Sequence, residues 1–205
     1  ALAARAFLFS FPVYMTTWAE SMTRASIFGS VADVATSATP LASLHEGIIP
    51  QEYSLMNLFL GQTGGSIGEV CTLALLAGGI YLLLRRIITP RIPFAYLATV
   101  ALITFIFPRG GNGHLTWMLY NLLSGGVILG AIFMATDYTT SPVSPKGQWI
   151  YGFGCGALTV FIRYFGSYPE GVTYAILIMN SCVWLLEKLG GRRRYGTGKA
   201  VKGNG

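Results

Sequence analysis

The chain has 205 residues, 53% of them hydrophobic and 11% charged, with a net charge of +6 at neutral pH and a mean hydropathy of +0.55. A water-soluble domain carries about 25% charged residues, and a chain this short cannot hide so much apolar surface from water. Composition therefore excludes an ordinary soluble enzyme and predicts an all-α integral membrane protein, a multi-span helix bundle whose 26 glycines allow helices to approach closely in lipid.

In chain order, residues 1–13 are apolar but too short to cross a bilayer, and carry neither an initiating Met nor the charged start of a signal peptide. They are expected to be the end of a span that begins further upstream. Residues 14–53 are more polar and are read as an external loop. Within it, Asp33-Val34-Ala35-Thr36-Ser37-Ala38-Thr39, followed by Pro40 and Leu41, has the form Asp-x-x-(Ser/Thr)-x-Ala-Thr. That pattern looks like an acceptor site for covalent flavin; the plainer reading of the same letters is a small-residue loop that turns at Pro40.

A membrane domain is expected over residues 54–189, opening with a re-entrant segment at 54–66. Ser54 to Leu60 is apolar and much too short to span, and Gly61-Gln62-Thr63-Gly64-Gly65-Ser66-Ile67-Gly68-Glu69 follows. This reads as a half-helix, a glycine loop and a re-entry, a device that survives at membrane depth only where protein or a wet cavity satisfies its backbone. Amides of Gly64 to Gly68 at a helix start would favour a phosphate or a reduced flavin, so Gly65, Ser66 and Gly68 are candidate contacts; a simple cap outside the membrane is the alternative. Glu69 is either a functional carboxylate at membrane depth or a cap on its own helix.

Five spans follow from apolar length: Ile67 to Leu84, Ile92 to Phe107, Leu115 to Ala135, Trp149 to Phe165 and Val172 to Leu186, each near the ~20 residues a bilayer requires. Between the second and third lies Pro108-Arg109-Gly110-Gly111-Asn112-Gly113-His114, a Gly-rich turn whose Arg109 is a basic residue able to face a phosphate and a candidate flavin contact. His45 and His114 have no partner at metal-ligand spacing, and Asn121, Ser124, Asn180 and Ser181 read as helix-joining polar residues. Cys71, Cys155 and Cys182 are widely spaced in apolar runs and are expected to be inert core residues rather than iron-sulfur or zinc ligands.

Lys and Arg set the orientation. Arg5, Arg85, Arg86, Arg91, Lys146, Lys188, Arg192, Arg193, Arg194, Lys199 and Lys202 fall on one side, and only Arg24, Arg109 and Arg163 on the other. The first set, with the C-terminus, is therefore assigned to the cytoplasm and the Thr39 loop to the outer face. The basic tail over 190–205 is read as an anchor facing anionic lipid rather than a nucleic-acid patch.

Taken together, Arg5 to Pro12, Asp33 to Leu41, Gly65 to Glu69, Ala135-Thr136-Asp137, Ser141 to Gly147 and Tyr168-Pro169-Glu170-Gly171 resemble, in order and spacing, the RnfD subunit of the Rnf ion-translocating ferredoxin:NAD oxidoreductase. That family is related to the NqrB subunit of sodium-pumping NADH:quinone oxidoreductase, and the resemblance covers nearly the whole chain. It implies a flavin mononucleotide (FMN) joined through its phosphate to Thr39 by a separate flavin transferase, with Asp33, Ser37 and Ala38 completing the acceptor motif. Ser37 stands where many such motifs have Gly, and Thr36 is the competing hydroxyl. The resemblance further implies an inverted-repeat fold, a second and noncovalent riboflavin, a site in the inner membrane, and partners among RnfG, RnfA, RnfE, RnfC and RnfB. No catalytic triad is expected, because the flavin ring itself carries the electrons. The competing reading from another class is a solute or ion channel without flavin, and a third is an inert assembly scaffold.

Overall fold

The computed structural model describes residues 40–50, 54–61, 71–111, 113–166 and 170–189. Within them all regular structure is helical: α1 (Pro40–His45), α2 (Leu55–Leu60), α3 (Thr72–Leu84), α4 (Arg91–Ile106), α5 (His114–Leu123), α6 (Val127–Met134), α7 (Pro145–Phe165), α8 (Val172–Ser181) and α9 (Val183–Leu189). The Asp33 to Thr39 motif, Gly65, Ser66, Gly68, Glu69 and the basic tail lie outside the described residues.

The longest element is α7, and its start follows from local chemistry. Ser144 sits in an extended conformation and its Oγ accepts from the Gly147 N–H at 3.2 Å, while Pro145 occupies the first turn. A hydroxyl cap with proline just inside satisfies amide groups the helix cannot. At 21 residues α7 is about 31 Å long, starting four residues before the span read from apolar length because the cap, not hydropathy, sets its beginning.

The span expected over Leu115 to Ala135 is instead two helices. α5 ends at Leu123, α6 starts at Val127, and the pair is bent by 66°. Gly125, with φ of +69°, makes the turn, a backbone state that costs an L residue with a side chain about 1 kcal/mol or more. The last five residues of α6, Gly130–Met134, are wound as a π-helix, which is where helices often carry an inserted residue near functional sites. The expected final span is likewise divided, with Cys182 between α8 and α9. Among the described residues no single helix is long and apolar enough to cross a membrane, whereas α5 and α6 together are.

The core is built on the crossing of α4 and α7. A Cβ added at Gly152 would lie 2.7 Å from Ala95 Cβ and 2.9 Å from the Ile92 carbonyl; one at Gly156 would lie 2.8 Å from both Thr99 Cβ and the Tyr96 carbonyl. Two glycines four residues apart thus let the backbones touch, the small-xxx-small device of membrane helices. Tyr96, Tyr151, Cys155 and Val160 are buried along this seam, and Tyr96 and Thr159 share a 2.6 Å hydroxyl bond across it. Tyr151 donates to Asn180 Oδ1 on α8 at 2.5 Å, so Asn180 does join two helices. Ser181 instead bonds its own helix at Leu177 O, and Asn121 its own at Trp117 O.

The outer faces are apolar where those of a bundle in water are charged, and the largely apolar core also takes in polar groups. Thr99, Thr104, Asn121, Thr159, Arg163 and Thr173 are buried, while Leu84, Phe94, Leu102, Phe153, Phe161 and Phe165 are exposed. Large exposed apolar surface over buried polar groups is what lipid, not water, selects. Two expectations are corrected here. Arg163 belongs to the last turn of α7 and is 3% exposed, not part of an outer connection. Of the three cysteines, Cys155 is a core residue, Cys71 is partly covered and Cys182 is exposed where the helix breaks.

The α4/α7 seam yields a contrast. Gly152→Ala drives a methyl into backbone and should cost about 1–3 kcal/mol, whereas Gly154→Ala meets only the flexible end of Met179 and should cost clearly less. Thermal unfolding midpoints of the two variants in detergent measure the difference.

Candidate functional site

A helix that stops inside a protein leaves carbonyls without amide partners. At the break between α5 and α6 these are served by Arg163. Its Nη1 donates to Asn121 O at 2.7 Å and its Nη2 to Ser124 O at 3.1 Å. The guanidinium fits this task because its donors form a rigid fork, and its charge lies at the negative end of the α5 dipole. Burial of a cation is costly unless its donors are used, so the break and the arginine require each other. Ser124 Oγ is buried beside this junction without a hydrogen-bond partner among the described residues.

The same arginine holds a second segment. Its backbone carbonyl accepts from His45 Nδ1–H at 2.8 Å, an acceptor that fixes the proton on Nδ1. His45 is the last residue of α1, and Leu41 and Leu44 of α1 are buried. Leu41 Cδ2 and Arg163 Nη2 converge on one point above Gly125, lying 2.9 and 3.0 Å from where a Cβ there would stand. Only a glycine leaves room for both. Leu41, Leu44, His45, Asn121, Arg163 and Tyr164 come together around this point.

Arg109 lies at the same end of the bundle. Its guanidinium sits over the Tyr164 ring, 5.1 Å from the centroid, a cation–π arrangement. Tyr164 OH accepts from Trp117 Nε1 at 2.8 Å and donates to Phe107 O at 2.8 Å. Gly47, two residues beyond α1, turns back with φ of +83° and its Cβ position would be 3.7 Å from Arg109 Cβ. His114 Nδ1 bonds Phe105 O at 2.7 Å, closing the loop that carries Arg109. α2 joins the cluster by packing Leu58 with Leu44, Trp117 and Tyr120. Gly61, which ends α2, presses on Cys71, so the two residues flanking 62–70 are in contact.

Of the residues singled out in the sequence, the described part thus brings Arg109 to the segment that follows Thr39. Thr39, Asp33, Ser37, Ala38, Gly65, Ser66 and Gly68 lie outside it. Pro40, bonded directly to Thr39, is buried as the first residue of α1. Sequence reasoning missed Arg163 and His45. The signal for the break was present in Ser124-Gly125-Gly126, adjacent glycines inside an apolar run, but nothing in the letters says which side chain serves the freed carbonyls. Among the described residues no three His, Cys, Asp or Glu are grouped to hold a metal ion.

Arg163→Leu leaves the Asn121 and Ser124 carbonyls buried without donors and should destabilise the fold by roughly 2–5 kcal/mol. Arg163→Lys, which keeps the charge but loses the fork, should fall between. The unfolding midpoints of both variants in detergent check the order.

The chain is 45% identical over 205 residues to the D subunit of the Na(+)-translocating ferredoxin:NAD(+) oxidoreductase complex of Acetobacterium woodii, a match covering 98% of the chain and 60% of the relative. It is 39% identical over 201 residues to the corresponding subunit of the proton-translocating ferredoxin:NAD(+) oxidoreductase complex of Clostridium ljungdahlii, covering 94% and 59%. It is also 39% identical over 222 residues to that of the ion-translocating oxidoreductase complex of Stutzerimonas stutzeri, covering 95% and 62%. The chain thus spans about 60% of the length of these curated relatives. A family match extends over residues 1–196, and by it the chain belongs to the NQR2, RnfD, RnfE family.

Proposed function

We propose that this chain is the flavin-bearing part of a membrane subunit in an Rnf-type ferredoxin:NAD oxidoreductase, carrying FMN as a phosphoester on Thr39 and passing electrons in a complex that moves sodium or protons. The observation that carries the reading is the Asp33 to Thr39 motif ending at the residue before α1, a helix seated on a buried arginine. Arg109, at the same end of the bundle as that helix, supplies positive charge that suits a phosphate.

When bound, FMN supplies the one- and two-electron chemistry. This chain holds it. A phosphoester does not dissociate, and a short tether keeps the ring at high effective concentration beside its redox partners. RnfG, RnfA, RnfE, RnfC and RnfB are the proposed partners, with a flavin transferase acting during maturation. The exposed apolar faces of α3, α4 and α7 belong in lipid, with the Thr39 side outward by the distribution of Lys and Arg. The names of the relatives favour a ferredoxin:NAD oxidoreductase over the NqrB-like alternative. A noncovalent riboflavin and an inverted-repeat fold remain part of the proposal, with no residue of this chain assigned to the riboflavin.

The bent pair α5 and α6 gives the channel reading one observation of its own, since broken helices also build transport sites. Fluorescence separates the two. The protein, made in cells containing the transferase and run on a denaturing gel, should fluoresce under ultraviolet light, and Thr39→Ala should be dark. A dark wild type overturns the redox reading, and fluorescence that persists in Thr39→Ala moves the attachment to another hydroxyl.

A further inference from the structure

The end of the bundle opposite Arg163 gathers exposed positive charge. α3 ends and α4 begins there around Arg85, Arg86 and Arg91, α7 begins there with Lys146, and all four side chains are exposed. α4 and α7 start side by side: Arg91 Nη1 and Thr89 Oγ1 both donate to Oε1 of the buried Gln148, at 3.2 and 3.4 Å. The two carboxylates of this end are engaged locally, Asp137 Oδ2 by the hydroxyls of Thr139 and Thr140 and Glu187 Oε1 by the Val143 amide. Among the described residues no carboxylate pairs with Arg85, Arg86, Arg91 or Lys146.

Arg86 is held in a disfavoured backbone state. α3 closes with the Ile87 N–H on Leu82 O and the Arg86 N–H on Leu83 O, both at 3.0 Å. In that motif the position Arg86 occupies is left-handed and most often glycine. Arg86 has φ of +54°, a state that penalises any side chain. The turn is fixed as well, because Tyr138 OH donates to Ile87 O. Strain kept at an exposed, charged residue points to a task for its head group. One turn inside the cations, Phe94 of α4 and Trp149 of α7 meet edge to face with ring centroids 6.0 Å apart, both exposed. Tryptophan at that depth is the usual mark of the headgroup level of a bilayer.

We propose that the α3–α4 turn and the start of α7 form a seat for an anionic phospholipid, with Arg85, Arg86, Arg91 and Lys146 at the headgroup phosphate and Phe94 and Trp149 against the first carbons of the acyl chains. Charge complementarity selects the partner: cations without a protein counter-charge, set beside an exposed apolar face, fit an amphiphile with an anionic head. A soluble phosphate would use the cations alone. The inference is independent of the reading of Thr39 and requires only that the chain sit in a bilayer. The basic tail over 190–205 is a second source of the same attraction, and the test separates the two.

The full-length subunit in a neutral detergent is titrated with phosphatidylglycerol, phosphatidylcholine or glycerol 1-phosphate, and the unfolding midpoint is followed. Phosphatidylglycerol should raise the midpoint, and the other two should leave it near its starting value. Arg91→Gln and Arg86→Gly should each need roughly fivefold more phosphatidylglycerol to reach half of the wild-type shift, the factor that one arginine near an anionic surface contributes. Arg86→Gly keeps a weaker lipid response apart from a weaker fold. Glycine suits the left-handed state, so its midpoint without lipid should equal or exceed that of the wild type. A phosphatidylcholine response equal to that of phosphatidylglycerol overturns the seat, as does an equal response to glycerol 1-phosphate. An unchanged phosphatidylglycerol response in both arginine variants also overturns it and transfers the attraction to the basic tail.

Discussion

The buried guanidinium of Arg163 is the interaction on which the rest depends. A polypeptide that breaks a helix within an apolar bundle must satisfy the carbonyls it frees, and water is not present to do so. The fork of Arg163 does it from α7, at Asn121 O and Ser124 O. The requirement is mutual, since an arginine so deeply covered needs acceptors as much as the carbonyls need donors. The bend of 66° between α5 and α6 is therefore held from across the bundle and not by the glycines alone.

That arrangement works only because α7 is itself fixed. Gly152 and Gly156 bring its backbone against α4, and the Tyr96–Thr159 hydroxyl bond lies one turn before Arg163 on the same helix. Close backbone approach supplies dispersion contacts in surroundings where hydrophobic burial adds little. α8 then packs on α6 through Val172 against Gly130, and Tyr151 reaches Asn180. The chain of dependence runs from the α4/α7 seam to Arg163, from Arg163 to the break, and from both to α1, which directly follows the proposed flavin residue.

Much of the fold was legible. The helical class and the places of α3, α4 and most of α7 follow from apolar length, a local property of the chain, whereas the Ser144 cap that starts α7 four residues earlier was not read. The break at Gly125 was legible in part: the paired glycines stand in the sequence, but an apolar run on either side has the same hydropathy whether it is straight or bent. Arg163 was misplaced for a related reason. Near the end of a span a lone arginine reads as a loop residue, and its burial depends on acceptors 39 and 42 positions away. His45 was unassigned because its partner is a backbone carbonyl 118 positions distant, which no spacing rule can find.

By itself, then, the sequence determined the membrane class of the chain and its helices, and it offered, as proposals, an orientation from Lys and Arg and a chemical candidate at Thr39. Each rests on composition or on neighbours a few residues apart. Tertiary structure alone decided that α5 and α6 part, that a cation from α7 closes the gap, and that α1 is seated on that cation. These are pairings of hydrogen-bond groups far apart in the chain, and they exist only once the backbones have been brought together by α4 and α7.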